Sequence, residues 1–115
     1  MKRGLSAALA AVLGLLTAGP IAVQGAAFTS GNQLVEECSG QDDFPSGVCA
    51  GYVMGVADLM MSDGTVGGLA ACLPPSVIPQ QLMDVVTTYL AAHPEKRQYS
   101  AVGLVAAAFS VAFPC

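Results

Sequence analysis

The 115-residue chain contains no tryptophan, a single histidine and only four lysine or arginine residues. A shortage of cations disfavours binding to nucleic acid and to anionic lipid, because both need clustered positive charge. Eight acidic residues give a net charge of −4, which favours a basic partner. The sequence also lacks a C-x-x-C pair and a D-x-D-x-D-G loop. We therefore expect no metal and no other cofactor.

The N-terminal segment has the three parts of an export signal. Lys2 and Arg3 precede an apolar run over residues 5–16, and Gly25, Ala26 and Ala27 provide the small residues that signal peptidase requires. The run is too short to remain as a membrane anchor. We predict cleavage after Ala27, with cleavage after Gly25 as the alternative.

Cleavage divides the chain into a signal peptide, residues 1–27, and one mature domain, residues 28–115. The mature domain keeps all eight acidic residues but only two cations, Lys96 and Arg97, so its net charge becomes more negative. We expect it in the periplasm, without a membrane span.

Four cysteines lie in the mature domain, and exported domains of this size commonly rely on disulfides. Each bridge would contribute about 2–4 kcal/mol. Four cysteines allow three pairings. If neighbouring helices run antiparallel, Cys38–Cys49 and Cys72–Cys115 are favoured; Cys49–Cys72 with Cys38–Cys115 remains the alternative.

Apolar periodicity and turn residues predict four helices. We place them at about residues 31–38, 46–61, 79–93 and 100–113. Ser30 and Gln33 form a capping-box signal for the first helix. The predicted fold is an all-α, four-helix bundle stapled by two disulfides, with no β-sheet.

Three glycines recur every four residues in the second predicted helix, at Gly47, Gly51 and Gly55. Glycine costs about 1 kcal/mol relative to alanine inside a helix. This row predicts a surface that another helix of the bundle approaches closely.

Catalytic machinery is not evident in the sequence. His93 is the sole imidazole, and its place before Pro94 is typical of a helix C-terminus, where a histidine interacts with the helix dipole. In an oxidising compartment the cysteines are expected to form bridges rather than to act as nucleophiles. We predict that the protein is not an enzyme.

Several short motifs occur in a fixed order along the mature chain. They are Cys49–Asp58 (CAGYVMGVAD), Cys72–Pro74 (CLP), Gln81–Val86 (QLMDVV), Tyr89–Leu90, His93–Glu95 (HPE) and Phe113–Cys115 (FPC). The ordered set resembles the Rap1a/Tai-type immunity proteins. One departure is Ile78, where the family pattern usually has a capping threonine.

The resemblance implies a helical periplasmic protein, often dimeric, that binds a toxin delivered by a type VI secretion system. Those toxins are peptidoglycan amidases, and the immunity protein occludes the active-site cleft. We therefore expect a protein partner, an amidase toxin, and the sequence leaves open whether the protein itself is a monomer or a homodimer.

A glycine-rich segment is the predicted contact region for this partner. It covers residues 62–68, with Asp63 as the charge anchor beside Thr65 and Val66. An ordinary connector is the equally simple interpretation. The alternative contact surface is residues 41–44, which contain Asp42 and Asp43.

A second function also agrees with the sequence. The chain could be a stand-alone periplasmic binding or chaperone-like protein of the cell envelope. That hypothesis predicts opening in acid and binding to many clients, whereas an immunity protein stays folded and binds one partner tightly.

Overall fold

The computed structural model describes residues 27–115, so the signal-peptide prediction lies almost wholly outside the described residues. The four predicted helices are all present, and α2 begins about a turn earlier than predicted. A short hairpin and one 3₁₀ turn complete the described chain. The elements are α1 (Gly31–Ser39), α2 (Asp43–Asp63), β1 (Thr65–Val66), β2 (Leu69–Ala70), α3 (Pro79–Ala92), the 3₁₀ turn (Pro94–Lys96) and α4 (Ala101–Ala112).

The first turn of α1 is capped as the sequence predicted. The Gln33 backbone N–H donates to Ser30 Oγ at 3.2 Å, and the Ser30 N–H donates to Gln33 Oε1 at 2.9 Å. This reciprocal pair satisfies two backbone donors that the helix leaves unpaired. Leu34 from the same helix is fully buried.

Helix α3 has only one of the two hydrogen bonds of a capping box. Ile78 occupies the N-cap position and has no side-chain acceptor, but its backbone N–H donates to Gln81 Oε1 at 3.0 Å. Pro79 fits the first turn, where no backbone donor is needed. At the other end, the Arg97 Nε–H donates to the Leu90 carbonyl at 2.9 Å, which satisfies one of the last helix acceptors.

Helix α4 supplies much of the core, as its lack of charge predicts. Phe109, Val105 and Ala106 are fully buried, and α4 contacts every other helix and both strands. Its small residues let those elements approach. The core comprises Leu34, Cys49, Val53, Val56, Ala57, Met60, Ala71, Leu73, Leu82, Val86, Leu90, Ala101, Leu104, Val105, Ala106, Ala108 and Phe109.

The glycine row of α2 faces away from this core, contrary to the prediction. Gly47, Gly51 and Gly55 are exposed, and a Cβ added to any of them would meet no atom within 4 Å outside its own helix turn. The reason is the phase of the helix. The inward face is taken by Cys49, Val53 and the following apolar residues, which leaves the glycines on the opposite side.

The prediction of a structure without a sheet is also wrong. Strands β1 and β2 pair antiparallel, with Thr65 opposite Ala70 and Val66 opposite Leu69. Gly67 and Gly68 have φ values of 59° and 80°. Positive φ at both central residues is what a two-residue type I′ turn requires, so the glycines build a hairpin rather than an irregular loop.

Backbone pairing ties the starts of α1 and α4 together. The Gly31 N–H donates to the Tyr99 carbonyl at 2.9 Å, and the Ala101 N–H donates to the Thr29 carbonyl at the same distance. The Asn32 N–H donates to the Arg97 carbonyl at 2.8 Å. These bonds hold the start of α1 against the residues that precede α4.

Two disulfides staple the fold, Cys38–Cys49 and Cys72–Cys115. This is the pairing favoured by the order of the helices. The first joins the end of α1 to α2. The second joins the segment after the hairpin to the residues after α4, and the Cys72 N–H also donates to the Phe113 carbonyl at 2.8 Å.

By length and composition alone, α2 could cross a membrane, and it is the one such helix among the described residues 27–115. Its apolar face instead carries core residues such as Val53 and Met60. Core helices pass the same composition test. The expectation that the mature domain has no membrane span stays a prediction.

Candidate functional site

The hairpin is an exposed, regular turn at the end of α2. Gly64, with φ 93°, ends α2 and donates its N–H to the Met60 carbonyl at 3.0 Å. The chain then turns directly into β1. Thr65 and the residues from Gly67 to Ala70 are exposed.

The base of the hairpin is held at three points. Val66 packs against the core, α4 contacts both strands, and the Cys72–Cys115 bridge lies two residues beyond β2. An exposed turn on a fixed base loses little conformational entropy on binding, which favours affinity.

The predicted contact residues in this segment have different positions. Thr65 is exposed, whereas Val66 is half-buried and serves the base. Asp63 is the last residue of α2. Leu69, 37% exposed beside the turn, was not among the predicted contact residues. A leucine directly after Gly67-Gly68 is the signal that could have identified it.

The alternative contact surface lies at the other end of α2. Asp42 and Asp43 are both exposed at its start, and Phe44 is 82% exposed. Asp42 occupies the N-cap position without a side-chain cap bond. Because α2 has 21 residues, this surface and the hairpin are about 30 Å apart. The structure does not bring the two predicted regions into one site.

The sole histidine belongs to a packed corner after α3. Its ring centroid lies 4.3 Å from that of Tyr89, and His93 Nδ1 is 3.5 Å from Glu95 Oε2. Lys96 Nζ lies 6.0 Å from the Tyr89 centroid. The backbone N–H of Glu95 lowers the pKa of its own carboxyl, and His93 adds to that effect. The carboxylate therefore favours the fold above its ordinary pKa, and this contribution disappears in acid.

Within residues 27–115, no group of three or more His, Cys, Asp or Glu side chains is arranged to hold a metal ion. All four cysteines are bridged. The described surface has three kinds of feature that a partner could contact: a hairpin tip, exposed carboxylates and a few exposed apolar side chains.

Tyr52 is expected to make the stability of the bundle depend on pH. Burial raises the pKa of its hydroxyl, the Val102 backbone partly offsets this, and Glu37 raises it further. The folded state thus favours the neutral phenol. We expect stability to hold below the ordinary tyrosine pKa of about 10 and to fall as pH rises above it.

Urea unfolding across alkaline pH measures this effect. The Tyr52→Phe variant should lose less stability than the unmodified domain over the same pH range, because it has no phenol to ionise at that site. Equal losses would assign the alkaline effect to other groups. Tyr89→Phe is the matched control.

Comparison with known proteins supports a role in binding. The model of the Rap1a immunity protein family matches residues 30–115, which covers both disulfides and the four helices and hairpin of the described residues. No curated protein gives a significant match. Because the family match spans well over half of the sequence, the chain belongs to the Rap1a immunity proteins.

Proposed function

We propose that the protein is a periplasmic immunity protein that binds a type VI secretion effector, a peptidoglycan amidase, and occludes its active-site cleft. Family membership supports binding to a secreted effector. Two formed disulfides and the N-terminal signal pattern support export to an oxidising compartment. The observation that carries the proposal is the exposed hairpin on a base tied to the core and to Cys72.

Occlusion needs a protrusion that fits a cleft and keeps its shape there. The hairpin supplies a narrow turn of two glycines, flanked by the exposed side chains of Thr65 and Leu69. Without side chains at the turn, its backbone N–H and C=O groups can approach the walls of a cleft closely. Asp63 remains a proposed contact at the start of this segment.

A change at the turn should reduce protection and leave the fold intact. We expect Gly68→Val to abolish the protective effect, because its φ of 80° is strongly unfavourable for a β-branched residue. Gly68 itself lies at the exposed turn. Strain there of about 1 kcal/mol should lower the thermal midpoint by about 4–8 °C and leave the domain folded. The measurements are survival in co-culture and a thermal melt followed by circular dichroism.

Gly51→Ala is the matched control for this variant. Gly51 is an exposed helical glycine with open space around it, so the substitution should leave protection unchanged. Full protection by the folded Gly68→Val protein would remove the hairpin from the proposed interface.

The function itself is tested by deleting the gene. The deletion strain should lyse in surface contact with its secretion-competent parent, survive beside a secretion-null parent, and recover when the gene is supplied on a plasmid. Equal growth beside a parent with demonstrated secretion would contradict the immunity function. Acid-shock survival would then distinguish the chaperone-like alternative.

A further inference from the structure

A groove runs between α3 and α4 on a surface separate from the hairpin turn. Its first compartment has a volume of about 420 Å³ and is lined by Asp84, Val85, Thr88, Tyr89, Ala92, His93, Ala108, Val111 and Ala112. The groove exists because α4 contributes only small side chains here. Ala108 is buried at its floor, while Val111 is 71% exposed at its rim.

A second compartment continues the groove toward the start of α3. It has a volume of about 430 Å³ and is lined by Pro74, Ser76, Val77, Gln81, Asp84, Val85 and Phe113. Asp84 and Val85 line both compartments. The two are therefore neighbours along α3, and Asp84 lies where they meet. Asp84 also lines a smaller cavity on the α2 side of α3, together with Gln80.

One formal charge lines the groove, and Lys96 Nζ lies 6.0 Å from the ring centroid of Tyr89, which lines the first compartment. Asp84 is the only Asp, Glu, Lys or Arg that lines either compartment. Its Oδ1 accepts a hydrogen bond from Gln80 Nε2 at 3.0 Å, and the side chain is exposed. The first compartment is mainly apolar, whereas the second also presents Ser76 and Gln81. A carboxylate between the two attracts a cation from an occupant.

We infer that this groove is a docking site for a helical segment of the effector that carries two apolar side chains with a lysine or arginine between them. The inference rests on the proposed function for the identity of the partner. Apolar side chains at helical spacing fill adjacent compartments, and the intervening cation meets Asp84. Since α3 has 14 residues, the segment is about four turns long.

A second copy of the chain fits the groove less well. In a two-fold dimer the same surface meets itself, so two Asp84 carboxylates would enter one interface, and no Lys or Arg lines the groove to balance them. A small molecule would leave the open side of the groove in water. A basic amphipathic helix covers the groove and supplies the missing charge.

The test uses synthetic helical peptides and the mature protein. One peptide carries a tryptophan and a leucine seven residues apart with a lysine between them; the other has glutamate in place of the lysine. The protein contains no tryptophan, so the emission reports the peptide alone. We expect the lysine peptide to bind saturably and at least about fivefold more tightly than the glutamate peptide.

Two variants and one control locate the binding. Asp84→Lys should weaken the lysine peptide about five- to tenfold and strengthen the glutamate peptide. Val111→Asp should weaken both, because it places a charge on the apolar rim. Glu36→Lys makes the same charge change on an exposed position of α1 and should alter neither affinity by more than about twofold.

Equal affinity for the two peptides, or equal weakening by Glu36→Lys and Asp84→Lys, would overturn the inference. Co-culture separates it from the proposed function. If the unmodified gene protects and Asp84→Lys protects equally, the groove is not an effector contact and the immunity function stands. If the unmodified gene gives no protection but the peptide preferences appear, the groove binds basic helices and the proposed function fails.

Discussion

Replacing Cys72 and Cys115 together by alanine is expected to lower the free energy of unfolding by about 4 kcal/mol. The bridge links residues 43 positions apart, and closing a loop of this length restricts the unfolded chain by about that amount. Both cysteines are exposed, so little packing is lost with them. Urea unfolding at fixed pH measures the change.

The other disulfide provides the comparison. Cys38–Cys49 spans only 11 positions, for which the same relation gives about 3 kcal/mol. Cys49 is buried in the core, so its replacement also removes packing. An unchanged unfolding midpoint in the Cys72→Ala/Cys115→Ala protein would contradict the prediction. Reducing the unmodified domain serves as an independent check on both bridges.

Loss of the Cys72–Cys115 bridge should also weaken the restraint on the hairpin. The segment after β2 would keep the backbone bond from Cys72 to Phe113 but would lose its covalent tie. A less restrained hairpin loses more entropy when it binds. We therefore expect weaker protection in co-culture even at temperatures where the double variant is folded.

Alanine at Gly31 and alanine at Gly51 are expected to change stability in opposite directions. A Cβ at Gly31 would lie 2.8 Å from the Arg97 carbonyl oxygen and 2.5 Å from Leu104 Cδ1. The Arg97 carbonyl is fixed by its bond from Asn32, so the backbone must shift. We expect a loss of about 2–3 kcal/mol.

Gly51→Ala should instead raise the free energy of unfolding by about 0.5–1 kcal/mol. The new methyl group meets no atom within 4 Å outside its own turn, and alanine restricts the unfolded chain more than glycine does. Urea unfolding of the two variants in parallel measures the sign of the change in unfolding free energy for each. A stabilised Gly31→Ala protein would show that the α1–α4 contact is looser than described.

Local signals predicted the helices well. The capping pair of Ser30 and Gln33 marked the start of α1, and the apolar spacing from Leu82 to Leu90 predicted α3 because helical periodicity and burial agree there. Lack of charge identified α4 as a core helix for the same reason.

Other features depend on how the helices are rotated and placed. The glycine row of α2 has the same spacing whether it faces a neighbour or solvent, so spacing could not decide between them. The hairpin has strands of two residues, too short for an alternating pattern. Its paired glycines fit a type I′ turn, but a flexible loop explains them equally well in sequence.

The candidate surfaces were even harder to predict from the sequence than the hairpin or the orientation of α2. Residues 62–68 and 41–44 were both predicted as contact regions, but their separation along α2 appears only once its full length is known. The groove needs the packing of α3 against α4, because neither helix is concave alone. Asp84 lies in the QLMDVV motif, but the motif does not indicate that the residue lines a groove.

The pairing between residues 29–32 and 97–101 has a consequence for the order of folding. These contacts join segments about 70 positions apart. If the chain is exported as proposed, it cannot form them until the later segment has crossed the membrane. Contacts of such long separation form slowly, since a large loop must close first. Until then the buried face of α1 has no α4 to cover it, and the emerging chain is exposed to proteases and to aggregation.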